Sequence, residues 1–138
     1  MKIENALTIA EAFVDWQADN CEGDPLRGEP MIVIAGGIRR HKPDVHDLDI
    51  VAQPILKAPA PVFGQKPFAT FFERTLAQLQ TDGYLLGVIA DGPKKKKYEV
   101  NVPRFGIQPD DEPFCVEFNL VTPPAQFGVL LMIRTGPG

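Results

Sequence analysis

Cysteine, histidine and net positive charge are all scarce in this sequence, and each shortage removes a class of function. The two cysteines, Cys21 and Cys115, lack the spacing of zinc ligands. With no secretory signal or long apolar span beside them, they point to reduced thiols in a cytoplasmic protein that does not enter a membrane. The two histidines, His41 and His46, do not make a hydrolase site by themselves, and exposure or ordinary hydrogen bonding is the first expectation for each. No internal repeat, nucleophile-elbow serine or Walker motif is found. Lys and Arg number 14 against 18 Asp and Glu, a net charge of −4, and the pI is near 5.1. That balance disfavours tight unaided binding to a phosphate backbone, which draws on clustered cations and counter-ion release.

What is there suffices for one α/β domain. At 138 residues, 44% hydrophobic and 23% charged, the chain can bury a real core over residues 1–138. Thr8-Ile9-Ala10-Glu11 fits a capping box, and Ile9, Phe13 and Trp16 form an apolar stripe, which predicts a helix reaching about Asn20. Loops are expected from Glu22 to Pro30 and from Ala58 to Lys66. A second helix should run from Pro67 to Gln80, with Phe68, Phe72, Leu76 and Leu79 on one side and Gly83 as its stop. Tyr84 to Ala90 reads as a buried strand, whereas Pro124 to Arg134 is ambiguous by periodicity.

The most informative stretch runs from Met31 to Val51. Met31 to Ala35 has the pattern of a buried strand and ends at Gly36-Gly37, where the backbone can turn sharply and approach a ligand. Amides exposed there can meet phosphate, and Arg39 or Arg40 can add a forked contact. Asp47 and Asp49 follow in Asp-Leu-Asp-Ile-Val, which as a strand sends both carboxylates to one face and Leu48 and Ile50 to the other. A lone Asp-x-Asp is usually a solvated strand end; behind a glycine turn and paired cations it suits a hard cation such as magnesium held with substrate phosphates. From Phe114 to Val121 the same alternation puts Cys115, Glu117 and Asn119 on one face and Val116, Phe118 and Leu120 on the core face. Lys94-Lys95-Lys96-Lys97, after Asp91-Gly92-Pro93, reads as a hairpin tip that either contacts nucleic acid or a triphosphate or is simply solvated.

Gly36-Gly37-x-Arg39-Arg40-x-Lys42 followed by Asp47-x-Asp49 resembles the palm signature of the polymerase β superfamily, specifically the family X DNA polymerases and related phage or bacterial nucleotidyltransferases. Val116 to Val121, Pro123 to Gly128 and Arg134-Thr135-Gly136-Pro137 are similar to the later palm segment in order and spacing, so the resemblance covers the chain from about Met31 onward. It implies a mixed twisted sheet packed against about three helices, and two-metal transfer of a nucleotide from a nucleoside triphosphate to a DNA 3′-hydroxyl. By that resemblance Asp47 and Asp49 bind both ions, Mg²⁺ or alternatively Mn²⁺, and Glu117 is the third carboxylate at the catalytic ion. Gly36, Gly37, Arg40, Thr135 and Gly136 would hold the nucleotide phosphates, while Arg39, Lys42, Lys94, Lys95, Lys96, Lys97 and Arg134 are candidate contacts to DNA or phosphate.

The sequence also departs from the family pattern. Glu117 stands where Asp is usual, and the added methylene shifts the carboxylate. Gly37 replaces a Ser, and Ile133 and Arg134 stand where two aromatics commonly pack at the incoming sugar. The chain leaves no room for the family's N-terminal DNA-binding domain or thumb, so the expectation is either a fragment or a minimal palm that engages a partner domain or second copy through its C-terminal end. Two alternatives accompany the polymerase-like reading: a weakened palm that binds nucleotide, nucleic acid or protein without transfer, and an enzyme that transfers a nucleotide to a protein or small molecule.

Overall fold

Alternating apolar residues build a five-stranded mixed sheet in this computed structural model, which describes residues 1–36, 44–56 and 70–122. The strands are β1 (Ile32–Ala35), β2 (Asp47–Ala52), β3 (Leu85–Asp91), β4 (Lys95–Val100) and β5 (Cys115–Leu120). Their spatial order is β1-β2-β5-β4-β3. β2 and β5 run parallel, and the other neighbouring pairs are antiparallel. Two α-helices, α1 (Ile3–Gln17) and α2 (Phe71–Thr81), complete an α+β fold among the described residues. None of the described helices is long and apolar enough to cross a membrane.

Both helices cover one face of the sheet. Ala6, Ile9, Ala10 and Phe13 of α1 and Phe72, Leu76 and Leu79 of α2 join Leu48, Ile50, Tyr98, Val116 and Phe118 in one core. These positions recur every three or four residues in the helices and every second residue in the strands, so each element buries one side. Phe118 sits at the centre, with ring centroids 5.8 Å from Phe13, 5.6 Å from Phe72 and 6.4 Å from Tyr98, all edge-on. The helices are tied by buried Gln17, whose amide nitrogen donates to the Phe72 carbonyl at 3.2 Å. Among the described residues the opposite face carries a small apolar group, Ala35, Val51 and Val121 with Val33 against them, beside polar and charged side chains of β2, β4 and β5.

Several expected boundaries move. The first helix begins at Ile3, so Thr8 is interior, and its hydroxyl donates to the Glu4 carbonyl at 3.0 Å instead of capping. The apolar stripe already starts at Ala6, which gives the chain reason to be helical a turn earlier. The real capping box is Thr70 with Glu73, where the Thr70 hydroxyl accepts from the Glu73 amide at 3.1 Å and starts α2 at Phe71. Pro67 and Phe68, and the loop expected from Ala58 to Lys66, lie outside the described residues, as does Pro124 to Arg134. Gly83, at φ +84, does follow the end of α2. β3 is a strand but not a buried one: as the sheet's edge it leaves Leu86 43%, Val88 49% and Ile89 56% exposed. An apolar run alone cannot distinguish a central strand from an edge strand.

Candidate functional site

Parallel pairing of β2 with β5 puts the candidate carboxylates side by side. Asp49 is the register partner of Glu117, and Asp47 that of Cys115. Because side chains alternate, Asp47, Asp49, Cys115, Glu117 and Asn119 share the face away from the helices, while Leu48, Ile50, Val116 and Phe118 are in the core. Asp47 is exposed, and Asp49 and Glu117 are half-buried. The Cys115 thiol is raised from its ordinary value chiefly by burial and then by the negative charge of Asp47. Cys21 and Cys115 are both free and buried.

The glycine turn touches this site. Gly36 directly follows Ala35, the register partner of Asp49, and has φ +69. A β-carbon built there would lie 2.8 Å from Asp49 Oδ2 and 3.3 Å from Asp49 Cβ. The positive φ therefore favours glycine, and a β-carbon there would crowd the Asp49 carboxylate. Gly37, Arg39, Arg40 and Lys42 lie outside the described residues, as do Ile133, Arg134, Thr135 and Gly136, together with His41. His46 is described and exposed, 3.7 Å from Asp44.

The lysines occupy a different place from the one expected. Lys95, Lys96 and Lys97 are not a hairpin tip but part of β4, held between β3 and β5. Extending the alternation of Tyr98-Glu99-Val100 back through them would have shown this: Lys95, Lys97 and Glu99 go to the carboxylate face, and Lys96, Tyr98 and Val100 to the helix face. Lys96 is consequently buried, ion-paired with Asp91 and 3.8 Å from Glu73. Burial and pairing withdraw it from the exposed lysines that can meet a ligand. Lys94 is exposed and its carbonyl accepts from the Leu120 amide at 2.9 Å.

Lys95 has a partner that sequence reasoning missed. Its Nζ lies 2.9 Å from Glu117 Oε1, across the β4–β5 pair. The approach is off the hydrogen-bonding direction, so the contact is an ion pair without a directional bond. Directly opposite Lys95 stands Asn119, 1% exposed, whose amide nitrogen and oxygen both lack a hydrogen-bond partner among the described residues.

Oxygen donors from Asp47, Asp49 and Glu117 are the right chemistry for a hard divalent cation. Among the described residues, however, no three His, Cys, Asp or Glu side chains converge closely enough to hold one as they stand. Two clefts among the described residues lie elsewhere: one of about 430 Å³ is lined by Met1, Asp44, His46 and Asp110, and one of about 400 Å³ by Glu73, Gln80, Asp91 and Lys96. Neither includes Asp47, Asp49 or Glu117. No family model matches the chain, and no curated protein matches it.

Proposed function

We propose that this chain is a metal-dependent nucleotidyltransferase of polymerase β-like type, joining a nucleotide from a nucleoside triphosphate to a DNA 3′-hydroxyl. The observation that carries the reading is the register of Asp49 with Glu117 on adjacent parallel strands, with Asp47 on the same face. Carboxylates brought from two strands to one face are what in-line phosphoryl transfer requires, because charge must be balanced at both the attacking and the leaving oxygen. Asp47, Asp49 and Glu117 are the residues that would hold Mg²⁺ or Mn²⁺, and two such ions, when bound, would supply that charge.

The chain's own residues set the conditions for that chemistry. Gly36 leaves room for the Asp49 carboxylate, because a β-carbon there would come within 2.8 Å of Oδ2. Lys94, exposed at the end of β4, and Lys97, on the carboxylate face, offer cations to a triphosphate or a DNA backbone. The direct test is nucleotide incorporation on gapped or primed DNA with Mg²⁺ or Mn²⁺, comparing the wild type with Asp47→Ala and Asp49→Ala. Loss of incorporation in both variants is expected; equal activity in all three proteins would sink the assignment.

The Lys95–Glu117 pair favours one second reading, a palm that binds nucleotide or nucleic acid without transfer. Metal-dependent nucleotide binding without turnover, unrescued by Glu117→Asp, would select it. Label recovered on protein instead of extended primer would point to a protein acceptor for the same carboxylate chemistry.

A further inference from the structure

The carboxylate face carries its own cation. Asp47, Asp49, Glu117 and Glu99 lie on that face with Lys95 and Lys97, so among the described residues its carboxylates outnumber its ammonium groups. Asp49 and Glu117 are neighbours in register, and like charges at that separation repel unless a cation lies beside them. Lys97 is the residue directly opposite Glu117, yet it is Lys95, one diagonal away, that comes to 2.9 Å of Oε1.

We infer that Lys95 is the resident counter-ion of Glu117, that a divalent cation must displace it, and that Asn119 is the acceptor that receives the displaced ammonium. The inference rests on the metal-binding reading of Asp47, Asp49 and Glu117. Three observations support the exchange. The pair lacks a directional hydrogen bond, so leaving it costs Lys95 charge attraction but no well-aligned bond. Lys95 is 48% exposed at its side chain, so it has room to move. Asn119, its register partner, is buried with an unused carbonyl oxygen, and a buried acceptor left unbonded is costly unless some state of the protein uses it. Directly opposite side chains in an antiparallel pair are close enough for a lysine to reach the amide.

Lys95 is thus a positioning residue acting through Glu117. While it holds the carboxylate, the three acidic groups do not converge; once it moves to Asn119, Glu117 is released toward Asp49. The consequence is competition between an internal monovalent cation and an external divalent one, which raises the metal concentration needed to fill the site.

The test is Mn²⁺ titration of the full chain without nucleotide, read by the electron paramagnetic resonance signal of free Mn²⁺, with thermal melting of each variant alongside. Lys95→Met keeps the stem and removes the charge, and Mn²⁺ binding should tighten about two- to fivefold, the scale of a partly exposed ion pair. Lys95→Arg should bind as the wild type does. Lys97→Met, the control for general charge, should change less than Lys95→Met. Asn119→Leu should weaken binding, and that effect should vanish in the Lys95→Met background. Misfolding cannot mimic tighter binding. Mn²⁺ binding that needs Asp49 and Glu117 but is indifferent to Lys95, or tightening equal in Lys95→Met and Lys97→Met, overturns the counter-ion role alone. Wild-type protein that binds no Mn²⁺, or binding that survives Asp49→Asn, overturns the metal-binding reading and this inference together.

Discussion

Replacing Gly36 with alanine perturbs two things at once, and the structure supplies controls that separate them. At φ +69 any L side chain meets the left-handed penalty, about 1–2 kcal/mol, partly offset because alanine also restricts the unfolded chain. Gly83→Ala, at φ +84, and Gly106→Ala, at φ +76, carry the same penalty with nothing within 4 Å of the new β-carbon. Gly36→Ala adds a contact of 2.8 Å with Asp49 Oδ2, and a carboxylate pushed off its rotamer to relieve it costs roughly 0.5–1.5 kcal/mol more. We expect losses of about 1 kcal/mol in the controls and about 1.5–2.5 kcal/mol in Gly36→Ala, read by urea unfolding. For a chain of this size that is a melting point lower by about 3–4 °C in the controls and about 5–10 °C in Gly36→Ala. A carboxylate displaced by about 1 Å should reduce nucleotide incorporation roughly 100-fold at a temperature where all variants are folded. Gly36→Ala that melts with the controls and matches the wild type in incorporation and Mn²⁺ affinity would refute the claim that this glycine positions Asp49.

Two further outcomes follow from the core. Phe118→Ala removes a fully buried ring that touches Phe13, Phe72 and Tyr98 and should cost about 3–5 kcal/mol in urea unfolding; a loss below about 1 kcal/mol would contradict its central place. Burial pushes the Cys21 thiol up from 9.0 to about 12, so at a given mildly alkaline pH its thiolate is about a thousand-fold rarer than in the unfolded chain. Alkylation of Cys21 at pH 8 should be correspondingly slow in the native protein and fast in urea. The neutral thiol is the form the fold favours, so its contribution to stability is intact below pH 9 and declines as pH rises through about 12. Equal alkylation rates in native and unfolded protein would contradict this.

Much of the carboxylate face was legible because its signal is local. Asp47 and Asp49 alternate with Leu48 and Ile50, and Glu117 alternates with Val116 and Phe118, so each strand's polar side follows from its own few residues. That β2 and β5 would be neighbours, parallel and in register at Asp49 and Glu117, is a tertiary fact that alternation cannot supply. The lysines were misplaced for a related reason. Four adjacent cations look like a solvated tip when read by charge, but the strand continues through Lys95, and Asp91 with Glu73 neutralises the inward-facing Lys96. Thr8 and Glu11 matched a cap pattern by chance of spacing, whereas Thr70 and Glu73 had the same pattern and used it. The edge position of β3 likewise depends on which strands pair and not on its apolar run.

The sheet order has a consequence for how the protein is made. β1–β2 and β3–β4 are each antiparallel pairs of consecutive strands, and β5, the last of the described strands, lies between them. Until β5 inserts, β2 and β4 each present an open edge, and Asp49 and Lys95 have no Glu117 between them. Such long-range closure is slow, and open edges recruit other chains. One insertion therefore brings Phe118 into the core, closes the gap between β2 and β4 and sets Glu117 beside Asp49, so the join between the two halves of the sheet and the candidate chemistry form in the same step.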